Sequence, residues 1–147
     1  MKHTLLTKTL VLSSVLAISY ASASAQCNVF VKKKCMYKVQ PFTQNGQMNT
    51  ANLQAGKKME VNLTVSAGQD YRILVCFEEI LGEVTFKVMD MSRKLIYDSK
   101  QNDSPDFWDF KSKSTQQLIV EVNAPASTSS VLPTGCVSVM VGFKKDS

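Results

Sequence analysis

Four cysteines, Cys27, Cys35, Cys76 and Cys136, are the residues of this chain whose chemistry is most readable from sequence. In an exported chain an even number of cysteines favours disulfide bonds. Zinc is the competing use, but no Cys-x-x-Cys pair occurs and the only histidine is His3. We therefore predict two disulfides, no metal and no cofactor.

Carboxylates are the other residues with catalytic potential. The only histidine, His3, lies in the N-terminal signal peptide predicted below, so the mature chain lacks the usual general base of Ser-His-Asp and Cys-His enzymes. Glu78 and Glu79 are adjacent, and adjacent side chains of a strand point to opposite faces, so this pair cannot easily share a substrate. We expect a protein that is not an enzyme.

Oxygen-bearing side chains are frequent between Asp98 and Asp109. Asp98, Asp103 and Asp106 could offer oxygens to calcium, but the stretch lacks the Asp-x-Asp-x-Asp spacing and the bidentate Glu of calcium loops. Asp, Asn, Ser and Pro also favour ordinary turns. A calcium-dependent adhesion or carbohydrate-binding module that uses this region is the alternative to the main interpretation.

Two further motifs have both a binding and a structural interpretation. Trp108 could stack on a sugar or a peptide, but it shares a strand face with Phe110, as core residues do. An exposed Trp108 would favour the binding interpretation. The run Lys32-Lys33-Lys34 could contact phosphate or an anionic surface, although such runs are usually just solvated.

The N-terminus has the layout of a secretory signal peptide. Lys2 and Lys8 precede an apolar stretch over residues 10–20, and small residues follow over 21–25. The apolar stretch is too short to span a bilayer, and no later segment is long enough. We predict a signal peptide over 1–25 and a single domain over 26–147, with a periplasmic or secreted location.

Removal of Lys2 and Lys8 with the signal peptide lowers the formal charge from +5 to +3. Such a small charge does not favour nucleic acid as a partner.

The rest of the chain is predicted to form short strands separated by turns. Residues 71–77 and 136–143 are rich in β-branched residues and apolar on nearly both sides, which is typical of central strands. The predicted strands cover residues 28–31, 48–53, 59–65, 71–77, 84–89, 94–98, 107–110, 117–122 and 136–143. Seven to nine such strands predict an all-β fold, an antiparallel sandwich or jelly roll. Residues 26–56 form an N-terminal strand and an irregular segment, and 57–143 the main sandwich.

The predicted positions of the cysteines lead to a disulfide pairing. If the two central strands are neighbours, Cys76 and Cys136 can lie within the roughly 7 Å that a disulfide allows. We therefore predict Cys76–Cys136 and Cys27–Cys35. Pairing of Cys27 with Cys76 or Cys136 stays open, because sequence does not determine connectivity.

The order of motifs from residue 59 to 143 resembles a known family. It comprises Ala-Gly-Gln-Asp-Tyr at 67–71, Leu-Gly at 81–82, Val-Thr-Phe-Lys-Val-Met-Asp at 84–90, Leu-Ile-Tyr-Asp at 95–98 and Leu-Ile-Val-Glu-Val at 118–122. This order resembles bacterial pre-peptidase C-terminal domains. The resemblance implies a β-sandwich or jelly-roll accessory module that binds rather than catalyses. The expected function is thus an exported binding module whose partner is an envelope protein or a glycan.

Overall fold

Strands dominate the part of the chain that the structure describes. The computed structural model describes residues 22–103 and 106–144. The strands are β1 (Thr43–Gln54), β2 (Lys58–Val65), β3 (Asp70–Phe77), β4 (Thr85–Asp90), β5 (Leu95–Asp98), β6 (Phe107–Lys111), β7 (Gln116–Asn123) and β8 (Thr134–Lys144). They confirm the predicted all-β fold. The predicted signal peptide lies, up to residue 21, outside the described residues and stays a prediction.

The eight strands of the described residues form two four-stranded sheets. Sheet A has the order β1-β8-β3-β6, and sheet B has the order β2-β7-β4-β5. Strand β1 pairs with β8, β2 with β7, β3 with β6 and β4 with β5, all antiparallel. One long hairpin has therefore been rolled so that its successive strand pairs alternate between the sheets, which is the jelly-roll architecture.

The main core lies between the two sheets. Alternate residues of each strand point into it, because successive side chains of a strand point to opposite faces. Strand β3 contributes Tyr71, Ile73 and Val75, and the facing strands of sheet B contribute Leu63 and Phe86 among others. These positions are nearly or fully buried.

Sheet A is covered on its outer face as well. Strands β3 and β8 are neighbours, as predicted, with Ile73 opposite Val141 and Cys76 opposite Ser138. The outward residues Leu74, Cys76 and Met140 are as buried as the inward ones. A second apolar cluster therefore exists on this face, and residues from the N-terminal part of the chain complete it.

The cover is a helical segment, residues 22–39. It consists of helix α1 (Ser22–Phe30), one π-helical turn (Val31–Cys35) and one 3₁₀ turn (Met36–Val39). The predicted strand over 28–31 is therefore wrong. In a strand Val29 and Val31 would share a face, but here Val31 is buried and Val29 is 51% exposed.

The segment predicted to be irregular, which follows the predicted N-terminal strand within residues 26–56, is not irregular. It holds the 3₁₀ turn and the 12-residue strand β1. The part of this prediction that placed an edge strand over 48–53 is confirmed, since β1 is an edge of sheet A.

The helical segment touches the backbone of β8 directly. A Cβ atom added at Gly142 would lie 2.6 Å from Cγ1 of Val39 and 2.7 Å from Cβ of Phe42. Such distances leave no room for a side chain. Glycine at this position allows the segment to pack against the sheet.

The predicted disulfide pairing is wrong. The bonds are Cys27–Cys136 and Cys35–Cys76, with Cα–Cα distances of 5.4 and 5.7 Å. Because Cys76 pairs in register with Ser138, Cys136 is a diagonal neighbour, at roughly 7–8 Å by typical sheet geometry and past the usual limit of a disulfide. Both thiols instead face the helical segment. The Cys27–Cys136 bond is one of the alternatives that the sequence left open.

The two disulfides indicate an exported protein, periplasmic or secreted, because such bonds persist in oxidising compartments. None of the helices in the described part of the chain has the length and hydrophobicity needed to cross a membrane.

We predict that each disulfide can be removed at a large cost in stability. The variant Cys35→Ala/Cys76→Ala should lose about 4 kcal/mol of unfolding free energy, and Cys27→Ala/Cys136→Ala about 5 kcal/mol, because the second bond closes the longer loop. Urea denaturation measures both. Hydrogen exchange should show lost protection over residues 31–39 and retained protection in β2 and β7. Recovery of a Cys27–Cys35 peptide from the unreduced protein would contradict this connectivity.

Candidate binding cleft

A cleft of about 740 Å³ lies between the helical segment and the end of β3. We call it the cleft and define it by its lining residues. These are Phe30, Lys34, Tyr37 and Lys38 on one wall, Cys76, Phe77, Glu78, Glu79 and Ile80 on the other, and Thr134 at the start of β8.

The first wall follows from helical periodicity. Cys27, Val31, Cys35 and Val39 are four residues apart and point to the sheet, with exposures of 4% or less. Residues four apart lie above one another on a helix face. Phe30, Lys34 and Lys38 are also four residues apart, so they form a second stripe along the segment. This second stripe faces the cleft.

The second wall is a short turn that closes β3. Residues Glu79–Leu81 form a 3₁₀ turn, and Leu81 is buried and anchors it. Oε2 of Glu78 accepts a hydrogen bond of 2.7 Å from the backbone N–H of Cys136. Ile80 lies on top of the turn and is 63% exposed. A Cβ atom at Gly135 would lie 3.0 Å from Cγ2 of Ile80, so this glycine lets the turn approach β8.

Disulfide bonds connect the two walls of the cleft. Cys35 belongs to the helical segment, and its partner Cys76 lies on the second wall of the cleft. Cys27 joins the same segment to Cys136, which Glu78 contacts. The cleft is therefore a preformed site.

Arg72 holds the far end of the helical segment. Its Nε and one terminal nitrogen donate hydrogen bonds of 2.7 Å to the two carboxylate oxygens of Asp109. The other terminal nitrogen donates to the carbonyls of Lys38 and Gln40 at 3.2 and 2.9 Å. These contacts tie the end of the segment to β3 and β6.

Aromatic rings enclose the same guanidinium group. It lies 4.8 Å from the ring centroid of Phe42 and 4.2 Å from that of Phe107, within the range of cation–π attraction. The hydrogen bonds with Asp109 are the main reason why the pKa of Arg72 is raised above its usual value.

The charged residues of the cleft divide into paired and free groups. Lys38 pairs with Asp106 at 3.2 Å, and Glu78 binds the backbone of Cys136. The side chains of Lys34 and Glu79 have no ion pair or hydrogen bond with any residue that the structure describes. The cleft thus offers one free charge of each sign, together with the exposed side chains of Tyr37 and Ile80.

The structure does not bring the calcium candidates together. The carboxylate of Asp98 accepts the N–H of Lys100 at 3.0 Å, and Asp106 pairs with Lys38. Asp103 lines a different cavity, of about 620 Å³. Within residues 22–103 and 106–144, no group of three or more His, Cys, Asp or Glu side chains could hold a metal ion.

Trp108 is partly buried at the margin of the core. Its ring stacks between Tyr97, at 5.0 Å, and Phe110, at 4.1 Å. It packs against the cluster between the sheets. These contacts agree with the structural interpretation of the aromatic strand.

Sequence reasoning missed the cleft because it missed the helical segment. The signal that could have revealed it is the recurrence of Cys27, Val31, Cys35 and Val39 at intervals of four residues. That spacing is helical.

We predict that Arg72→Ala loosens the end of the helical segment. The substitution leaves Asp109 and two carbonyls without their donor and should lower the unfolding free energy by about 3 kcal/mol. Arg93→Ala is the matched control, since Arg93 also binds a carboxylate, that of Glu60, with two nitrogens but is exposed. Its Tm should barely change. Equal losses in thermal denaturation of the two variants would contradict the assignment.

Comparison with solved structures shows a similar fold in PliG of Aeromonas hydrophila, a periplasmic lysozyme inhibitor of g-type lysozyme. The two chains superpose with a TM-score of 0.50 and 13% identity, over 66% of this chain and 84% of PliG. No protein-family model matches the chain, and no curated protein matches it in sequence. At this level of identity the likeness establishes a shared fold.

Proposed function

We propose that this protein is an exported, non-enzymatic binding module that recognises another protein through the cleft. One observation carries the proposal: Tyr37 and Ile80 stand exposed on opposite walls of a rigid concave site. Aromatic and aliphatic anchors beside a preformed pocket, with charges at the rim, are typical of protein-binding hot spots. The disulfides lower the entropy lost on binding, because the walls are ordered before the partner arrives.

A protein fits this site better than a glycan does. Trp108, the side chain best suited to stacking on a sugar ring, is held against the core. The resemblance to pre-peptidase C-terminal domains, which bind rather than catalyse, agrees with a binding role.

Within this class, we propose that the partner is a lysozyme-type glycan hydrolase and that binding inhibits it. The shared fold with a periplasmic inhibitor of g-type lysozyme supports this choice. Chemical complementarity supports it as well. Glycoside hydrolases carry a pair of carboxylates in their substrate groove, and Lys34 is a free ammonium group at the mouth of the cleft.

We predict inhibition of at least one peptidoglycan-cleaving enzyme in a cell-wall lysis assay, with g-type lysozyme as the first enzyme tested. Tyr37→Ala and Ile80→Ala should each weaken binding about 30-fold in calorimetry, the effect of losing a hot-spot contact of about 2 kcal/mol.

Ile96→Ala is the matched control. Ile96 is also an exposed isoleucine, but it lies on β5 of the other sheet, and its substitution should leave affinity unchanged. Binding without inhibition would support the binding module and reject the inhibitor. If Ile96→Ala lost as much affinity as Tyr37→Ala, the cleft would not be the binding site.

A further inference from the structure

Charge is distributed very unevenly along this chain. No Asp or Glu precedes Glu60, whereas residues 26–59 contain six lysines. Residues 60–147 contain all 12 acidic residues and only nine basic ones. The positive charge of the protein is therefore concentrated in its N-terminal part.

The fold places half of these lysines on the exposed surface of the helical segment. Because the stripe from Cys27 to Val39 faces sheet A, the opposite side of the helical segment faces solvent. Lys32 and Lys33 are exposed on that side, and Lys34 is exposed at its border with the cleft. We call the surface the basic ridge; its members are Val29, Lys32, Lys33, Lys34, Met36 and Tyr37.

No residue that the structure describes neutralises the charge of the basic ridge. The side chains of Lys32, Lys33 and Lys34 make no ion pair with any described residue. On the same face of the sandwich, the carboxylates of Asp106 and Asp109 are already bound to Lys38 and Arg72. Glu78 and Glu79 lie across the cleft from Lys34 and leave Lys32 and Lys33 uncompensated.

Apolar side chains stand between these lysines. Val29 is 51% exposed, Met36 44% and Tyr37 60%. A helix that combines lysines with exposed apolar and aromatic side chains matches the boundary between lipid headgroups and acyl chains.

We propose that the basic ridge docks this exported protein on the surface of an anionic phospholipid bilayer. The lysines are attracted by the negative surface potential over about one Debye length, and the apolar side chains enter the headgroup boundary. Three lysines give a modest, reversible association that salt weakens. The basic ridge shares Lys34 and Tyr37 with the cleft, whereas Val29, Lys32, Lys33 and Met36 lie outside it. The proposal does not depend on the identity of the cleft's partner.

The test is co-sedimentation with vesicles. The protein should bind vesicles of equal parts phosphatidylglycerol and phosphatidylcholine at low salt and dissociate from them at high salt. It should not bind vesicles of pure phosphatidylcholine. Lys32→Gln/Lys33→Gln should reduce the partition coefficient about 25-fold, at about fivefold for each lysine. Met36→Gln should reduce it without changing the salt dependence.

Lys94→Gln/Lys113→Gln is the matched control, because it removes the same charge from exposed lysines elsewhere. It should bind as the unsubstituted protein does. Circular dichroism establishes that each variant folds. Equal loss in the two double variants, equal binding to neutral vesicles, or no binding to either vesicle at low salt would each overturn the proposal. Salt-sensitive binding of the ridge to an acidic protein in the absence of vesicle binding would assign it to a protein partner instead.

Discussion

The outer face of sheet A must be kept from water, and the rest of the structure depends on this constraint. Strands β3 and β8 carry apolar residues on both faces of sheet A, but sheet B can cover only the inner face. Leu74 and Met140 would be left exposed without a second layer. The helical segment supplies that layer, and a helix so short would be marginal without tertiary contacts. Its two disulfides and the Arg72 contacts make it part of the fold.

The candidate sites are consequences of this covering layer. The segment runs past the turn that closes β3, and the gap between the segment and this turn is the cleft. Its solvent side is the basic ridge. Sheet B needs no such layer, because its outer face carries charged pairs such as Lys87 opposite Glu121. Arg93 reaches Glu60 on this face and lowers the pKa of that carboxyl. The two faces of the sandwich therefore differ in both cover and chemistry.

Packing on this face depends on the absence of side chains at two places. Gly142 admits Val39 and Phe42 against the backbone of β8, and Gly135 admits the turn that carries Ile80. Both glycines lie on the same strand, at opposite ends of the covered face. Strand β8 thus acts as the common support of the segment and of both walls of the cleft.

Local patterns determined much of the fold. Alternation of apolar and polar residues predicts β2, β4 and β7 and the faces that they bury, because a period of two is a property of the strand itself. The apolar character of residues 71–77 on both sides predicted that β3 is central and covered. The packing of Trp108 against the core followed from the face it shares with Phe110. The sequence did not specify which element provides the cover.

Only the tertiary structure decided the disulfide connectivity and the cleft. Cys76 and Cys136 lie on neighbouring strands, as expected, but the register makes them diagonal neighbours, and register depends on contacts distant in sequence. The residues that follow Cys27 are apolar enough to form a strand, but the spacing of four residues from Cys27 to Val31 and Cys35 also allows a helix. Burial of Val31 and Cys35 against Leu74, Cys76 and Met140, which belong to strands much later in the chain, selects the helix. A site formed between such distant segments has no local pattern of its own.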